Sequence, residues 1–232
     1  MVLKRFFIMI VAAILTMPSM FGQSSGTERA GNEPYLELTQ EMAMIQAASQ
    51  SNSREQKLLA LSYIGSALEK GNPSDEVRLA LEHLSQEGTQ NKVIERGRLA
   101  NDFPDIRREA VRQLGSVKTQ DSQVALIRIL NTENEPMVLQ EAIKSLGLVS
   151  TEDSGAAIEA IVRVGNRFYN SAVPDDLLAF VAVDALDKIA TRDNGLKYPE
   201  VIQFLNNMAE GPFVAAVKQR ARQALDNLRQ YM

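Results

Sequence analysis

Several groupings in this chain have the residue types of a chemical site. Gly22-Gln23-Ser24-Ser25-Gly26 has the G-x-S-x-G spacing of a nucleophile elbow, in which a tight strand-to-helix turn lifts a serine hydroxyl towards a histidine. Here it sits in a run of small polar residues with no strand pattern before it. His83 is the one histidine. It stands beside Glu82 in an ordinary helical pattern with no partner set, so it is read as a surface or boundary residue rather than a general base. Asp175-Asp176 and Glu152-Asp153 are paired carboxylates. Both pairs open helices, where negative charge complements the backbone dipole, and they are read as caps rather than metal ligands. Gly147 and Gly155 stand singly near helix ends and form no phosphate-cradling loop. The chain has no cysteine, which excludes disulfides, cysteine-ligated zinc and thiol nucleophiles. No catalytic residue, cofactor or metal is assigned, and the chain is read as non-enzymatic.

Two groupings fit binding better than catalysis. Lys92, Arg96, Arg98, Arg107, Arg108 and Arg112 make a locally basic span in an acidic chain. Glu95, Asp102 and Glu109 are interleaved with it, and the plain alternative is a solvated helix face. The second is Asn166-Arg167-Phe168-Tyr169-Asn170-Ser171-Ala172-Val173-Pro174. Arg167, Phe168 and Tyr169 have the composition of an interface hot spot. The alternative is that both rings pack into the core. The candidate partner-binding residues are therefore Arg107, Arg108, Arg112, Arg167, Phe168 and Tyr169.

The bulk properties limit the partner. The 232 residues carry 25 Lys and Arg against 29 Asp and Glu, a net charge of −4. A general nucleic-acid binder needs the opposite balance to displace counterions from phosphates. Lys4 and Arg5 precede a mostly apolar run, Phe6 to Met17, that ends at Pro18 and passes into small residues. That is the pattern of a secretory signal peptide, expected to be cut after Gly22, with Ser24 and Gly26 as alternative sites. The run is shorter than the roughly 20 residues of a membrane span. An uncleaved anchor is the alternative, and a soluble periplasmic or secreted protein is the expectation. Residues 23–52 are then a flexible leader and an N-terminal cap. Tyr35 to Ser49 within them is readable as a helix or as an extended arm.

The elements that must position these groups are helices. The apolar set is dominated by Ala and Leu, aromatics make up 6% and there is no Trp, which suits helix-on-helix packing. The clearest organisation is a segment written twice. Pro104-Asp105-Ile106-Arg107-Arg108-Glu109-Ala110-Val111-Arg112-Gln113-Leu114-Gly115 returns 32 positions later as Pro136-Met137-Val138-Leu139-Gln140-Glu141-Ala142-Ile143-Lys144-Ser145-Leu146-Gly147. Such an offset marks a repeat array. The shared skeleton, an apolar residue, Ala and Leu at spacings of four, lies on one helix face. It recurs as Leu178-Ala182-Leu186 and Val217-Ala221-Leu225. Five helical pairs are expected across residues 53–232: about 53–70 with 73–86, 89–100 with 104–117, 121–130 with 136–149, 151–168 with 175–190, and 198–208 with 212–231. In the first pair Ala80 and Leu84 stand for the skeleton, so the central alanines are Ala80, Ala110, Ala142, Ala182 and Ala221.

Ile106 to Gly115, with its Pro-Asp start and Leu-Gly end, resembles the second helix of a HEAT repeat. The offset of 32 is similar to the HEAT-like repeats of phycobilisome lyases, and the resemblance extends over about 53–232. It implies an all-α, right-handed α-solenoid of about five helix-turn-helix repeats, preceded by the signal peptide and leader. In solenoids of this type second helices line the concave face, so Arg108 and Arg112 are expected to meet a partner's carboxylate or phosphate there. The function implied is an exported, protein-binding scaffold or adaptor with no cofactor. The alternatives are a tetrapyrrole-handling, lyase-like protein, opposed by the missing cysteine and lone His83, and a nucleic-acid-binding HEAT scaffold, opposed by the charge.

Overall fold

Prolines and short polar side chains set the helix starts. Ser53 and Ser74 each accept the amide three residues on, from Gln56 and Val77. Thr119 and Ser122 satisfy each other's backbone amides in a capping box, and Asp175 takes the Leu178 amide at 2.9 Å. Pro104, Pro136 and Pro199 open three further helices, where a residue without an amide hydrogen loses nothing.

The computed structural model describes residues 29–71, 73–149, 151, 153–195 and 198–231. The expected signal segment (1–22), the Gly22–Gly26 motif and Glu152 lie outside them. The helices are α1 (Arg29–Ser49), α2 (Arg54–Glu69), α3 (Asp75–Ser85), α4 (Pro104–Val117), α5 (Gln120–Thr132), α6 (Pro136–Leu148), α7 (Gly155–Tyr169), α8 (Asp176–Arg192), α9 (Pro199–Glu210) and α10 (Ala215–Arg229). Two short strands, β1 (Ile94–Glu95) and β2 (Arg98–Leu99), lie between α3 and α4. The chain divides into two compact units, Met1–Thr39 and Gln40–Met232. The described part of the first is helical, residues 29–39 of α1, and helix thus begins inside the stretch expected as a flexible leader.

Apart from the β1–β2 ribbon, the second unit is an α-solenoid of paired helices. Second helices stack on second helices, α4 on α6, α6 on α8 and α8 on α10. First helices form a thinner row, α5 against α7 and α7 against α9. Ala110, Ala142, Ala182 and Ala221 are completely buried, as are or nearly are Leu114, Leu146 and Leu186. Gly115 and Gly147 mark the closest approaches. A Cβ on Gly115 would lie 2.6 Å from the Ser145 side chain, and one on Gly147 would lie 3.0 Å from the Cα of Ala185. Ser145 also donates to the Val111 carbonyl across the same gap, at 3.2 Å.

The second expected pair is corrected. Residues 89–100 are not a helix but an antiparallel ribbon, with Ile94 opposite Leu99 and Glu95 opposite Arg98. Arg96 and Gly97 both have positive φ, 50° and 75°, the pattern of a two-residue hairpin turn. The pairing of helices shifts with it. α3 packs mainly on α4 and only lightly on α2, so α3 is a first helix and α2 is the second helix of the pair before it. Ala60, Ile64 and Gly65 of α2 then match Ala110, Leu114 and Gly115 of α4. The central alanine of that repeat is Ala60, not Ala80, and the ribbon accounts for the 50 residues separating Ala60 from Ala110. Within Gln40–Ser49 of α1, Ile45 and Ala48 are buried.

Candidate interaction surfaces

The basic span separates into three environments. Arg107 is 3% exposed and is not available to a partner. Its Nε donates to Glu133 Oε2 and its Nη1 to Asp102 Oδ1, both at 2.7 Å, with a further bond from Nη1 to the Glu87 carbonyl at 3.0 Å. Burial works against its charge, but the hydrogen bonds and attraction of Asp102 and Glu133 outweigh it and raise its pKa. The reason is positional: Arg107 follows the buried Ile106, on the inner side of α4, facing the end of α5. Lys57 occupies the same place in α2 and is 2% exposed. Its Nζ donates to Glu87 Oε1 at 2.6 Å and to the Ser49 carbonyl. Each cation meets a glutamate just beyond the first helix of the next pair, so the array carries two rungs of one buried ion-pair ladder. Leu139 and Ala179 end it in the following repeats.

Arg108 and Arg112 are on the outer side of α4 and exposed. Arg112 forms a two-point pair with Glu109, which lowers the Glu109 pKa against the opposing effect of burial. Arg108 reaches towards Glu141 at 3.6 Å, and Lys144 bonds the same glutamate at 3.2 Å. Aligned on the buried alanines, the residue two positions earlier is Leu58, Arg108, Gln140 and Phe180, and the residue two later is Ser62, Arg112, Lys144 and Asp184. The second helices thus share an outward face with a basic centre on α4 and α6. Exposed Leu58 and Leu59 lie on α2, and exposed Leu177 with half-buried Phe180 on α8.

Lys92, Arg96 and Arg98 are the third group, all exposed on the ribbon. Its base is tied down. Asn101 is buried, accepts from the Val93 amide at 2.8 Å and donates to Glu87 Oε2 at 2.7 Å. His83 is half-buried beside this network, its Nε2 3.6 Å from Glu87 and its Nδ1 3.3 Å from Asn91. Burial, with the nearby Lys57 charge, lowers its pKa against the pull of Glu87.

The 166–174 segment is split between the end of α7 and a loop. Arg167 is exposed, its guanidinium 5.1 Å from the Phe168 ring centre. Phe168 and Tyr169 are half-buried and pack against the core. Tyr169 stands 6.0 Å from the Phe213 ring and lines a groove of about 350 Å³ with Asn166, Gln203 and Asn207. A second cleft of about 340 Å³ between α7 and α9 is walled by Ile158, Val162 and Tyr198, with Glu159 and Glu200 at its rim. Asp175 caps α8 as expected, and Asp153 accepts the Gly155 amide at 2.8 Å.

Sequence reasoning missed the ribbon and the buried partners Lys57, Glu87, Asn101 and Glu133. One signal was present. Val93-Ile94 and Leu99 flank Arg96-Gly97, a two-residue loop between apolar positions. Recognising it would have placed Lys57 in register with Arg107.

No curated protein matches the chain. Residues 97–170, from the turn of the ribbon to the end of α7, match the family model for HEAT repeats. Helices of the same build stack on both sides of that stretch.

Proposed function

We propose that this chain is a non-enzymatic scaffold that binds another protein on the outward face of its second helices, and that it acts after export, in a periplasm or outside the cell. HEAT repeats commonly serve as protein-interaction scaffolds. The observation that carries the reading is the face itself: Arg108, Arg112 and Lys144 stand exposed in register on adjacent helices, between exposed Leu58 and Leu177. A rigid array presents such a face without reorganising, so little ordering entropy is lost on binding. Specificity comes from charge at the centre and aliphatic contact at the margins. Export rests on Lys4-Arg5 and the apolar run after them. Among the described residues no helix is long and apolar enough to cross a membrane.

The test is affinity capture from the native envelope fraction with the wild-type chain, Arg108→Glu/Arg112→Glu and Tyr169→Ala. A partner held by the second-helix face is lost with the double charge reversal and kept with Tyr169→Ala. If neither variant weakens recovery of any partner, this face is not the binding surface. N-terminal sequencing of the exported protein checks the compartment, with a start near Gln23 as the expected result.

A further inference from the structure

The ribbon between α3 and α4 and the cleft between α7 and α9 carry opposite chemistry. Ile94 and Leu99 are cross-strand partners and lie on one face of the ribbon, 60% and 39% exposed. Around them Lys92, Arg96 and Arg98 make no ion pair among the described residues, and Glu95 is the one acid, so residues 92–99 carry a net +2 in a chain of −4. An exposed aliphatic pair would be unremarkable on a floppy loop. Here the base of the ribbon is held by a buried charge network. Asn101 joins Val93 to Glu87, Lys57 holds the other oxygen of Glu87, and the Ala100 amide bonds the Val93 carbonyl at 2.8 Å. Buried charges are costly to place, and their best-attested use is to fix one arrangement. What this network fixes is the direction of an exposed, cation-flanked apolar knob.

The cleft is the converse. Its walls are Ile158, Val162 and Tyr198, and Glu159 and Glu200 make no ion pair among the described residues. Arg163 also lines the cleft and donates to the neutral Asn131, so it keeps its charge and the lining carries a net −1. About 340 Å³ of mostly apolar space is open to solvent beside two exposed carboxylates.

We propose that the ribbon of one copy docks into the α7–α9 cleft of a second copy, with Ile94 and Leu99 entering the cleft and Arg96 and Arg98 meeting Glu159 and Glu200. Knob and cleft are different surfaces of one chain, so the contact is heterologous. Each docked copy leaves one free ribbon and one free cleft, and further copies add head to tail. The contact is far smaller than a standard interface, so association is weak, reversible and salt-sensitive. This contact does not involve Arg108 or Arg112 and does not depend on the second-helix face.

Sedimentation equilibrium of the purified chain tests the proposal. The wild-type weight-average mass should rise with concentration at low salt and fall back as salt is added. Arg96→Glu/Arg98→Glu alone, or Glu159→Lys/Glu200→Lys alone, should weaken association about ten-fold or more, because ion pairs become like-charge contacts. The chain carrying all four changes should recover it, and Ile94→Asp should abolish it. Arg108→Glu/Arg112→Glu should leave it unchanged, which separates this contact from the partner-binding face. Every substituted site is exposed, and circular dichroism verifies the fold of each variant. A wild-type chain that stays monomeric at every concentration overturns the proposal. So does association that survives either charge reversal, or a four-fold variant that associates no better than the two-fold ones.

Discussion

Arg107 shows how far residue type and residue role can differ. It lies in a run of arginines and is interior, because the helix turns it towards Glu133 while turning Arg108 and Arg112 outward. Removing one member of a buried ion pair leaves the other charged and unsolvated, a loss of about 3–5 kcal/mol. Arg107→Leu should therefore lower the urea-unfolding free energy by that amount, whereas Arg108→Leu, at a site half open to solvent, should change it by less than about 1 kcal/mol. His83 gives a pH dependence of known sign. Its folded pKa lies below the unfolded value near 6.5, so the unfolded chain binds more protons in that range. Stability should fall as pH drops through about 6.5 and the imidazole is forced to take up a proton while partly buried. Chemical denaturation at pH 7.5 and pH 5.5 should show this loss, and His83→Asn should reduce it. A pH profile unchanged by the substitution would place the titration elsewhere.

At the scale of elements, the ribbon is the part most sensitive to backbone chemistry. Gly88 has φ +70°, and a Cβ there would lie 2.8 Å from the Asn101 carbonyl oxygen and the Cα of Asp102. Gly97 has φ +75° with open space around it. The two glycines separate strain from crowding. Gly97→Ala should cost about 1 kcal/mol, the price of a left-handed conformation for a residue with a side chain. Gly88→Ala carries the same strain plus a clash with backbone that cannot turn aside, and should cost about 2–4 kcal/mol. Thermal unfolding of the two variants reads the difference. Amide exchange at Ala100, bonded to Val93, should accelerate in both.

Over the whole array, stability comes from neighbour-on-neighbour packing, and an end helix protects those beneath it. α10 covers α8 and α9, and it is fastened by Arg220 to Asp184 at 2.9 Å and to Asp187 at 2.8 Å. A chain ending at Gly211 would uncover Ala182, Leu186 and Met208, all now buried. Hydrogen exchange should then show faster opening of α8 and α9, while α4 and α6 keep their protection. Uniform loss across the array would mean that the repeats unfold as one unit.

The sequence by itself determined the repeat. An alanine flanked by larger apolar residues at spacings of four can serve one purpose, close stacking of helices, and that pattern is local and survives any register of pairing. Helix starts were legible for the same reason: Ser53, Ser74, Pro104, Pro136 and Asp175 act within one turn of themselves. The expectation that Arg108 and Arg112 face a partner came from the resemblance to HEAT second helices, and it wrongly took Arg107 with them. The tertiary structure decided the rest. Whether α3 pairs with α2 or α4, whether Arg107 lies inside or outside, and whether residues 89–100 form a third helix or a ribbon all depend on partners tens of residues away. Glu87, Glu133 and Asn101 are such partners. Alone, each is one more polar residue near a helix end; only the packed array brings their charges within hydrogen-bonding distance of Lys57 and Arg107 and makes that interior arrangement stable.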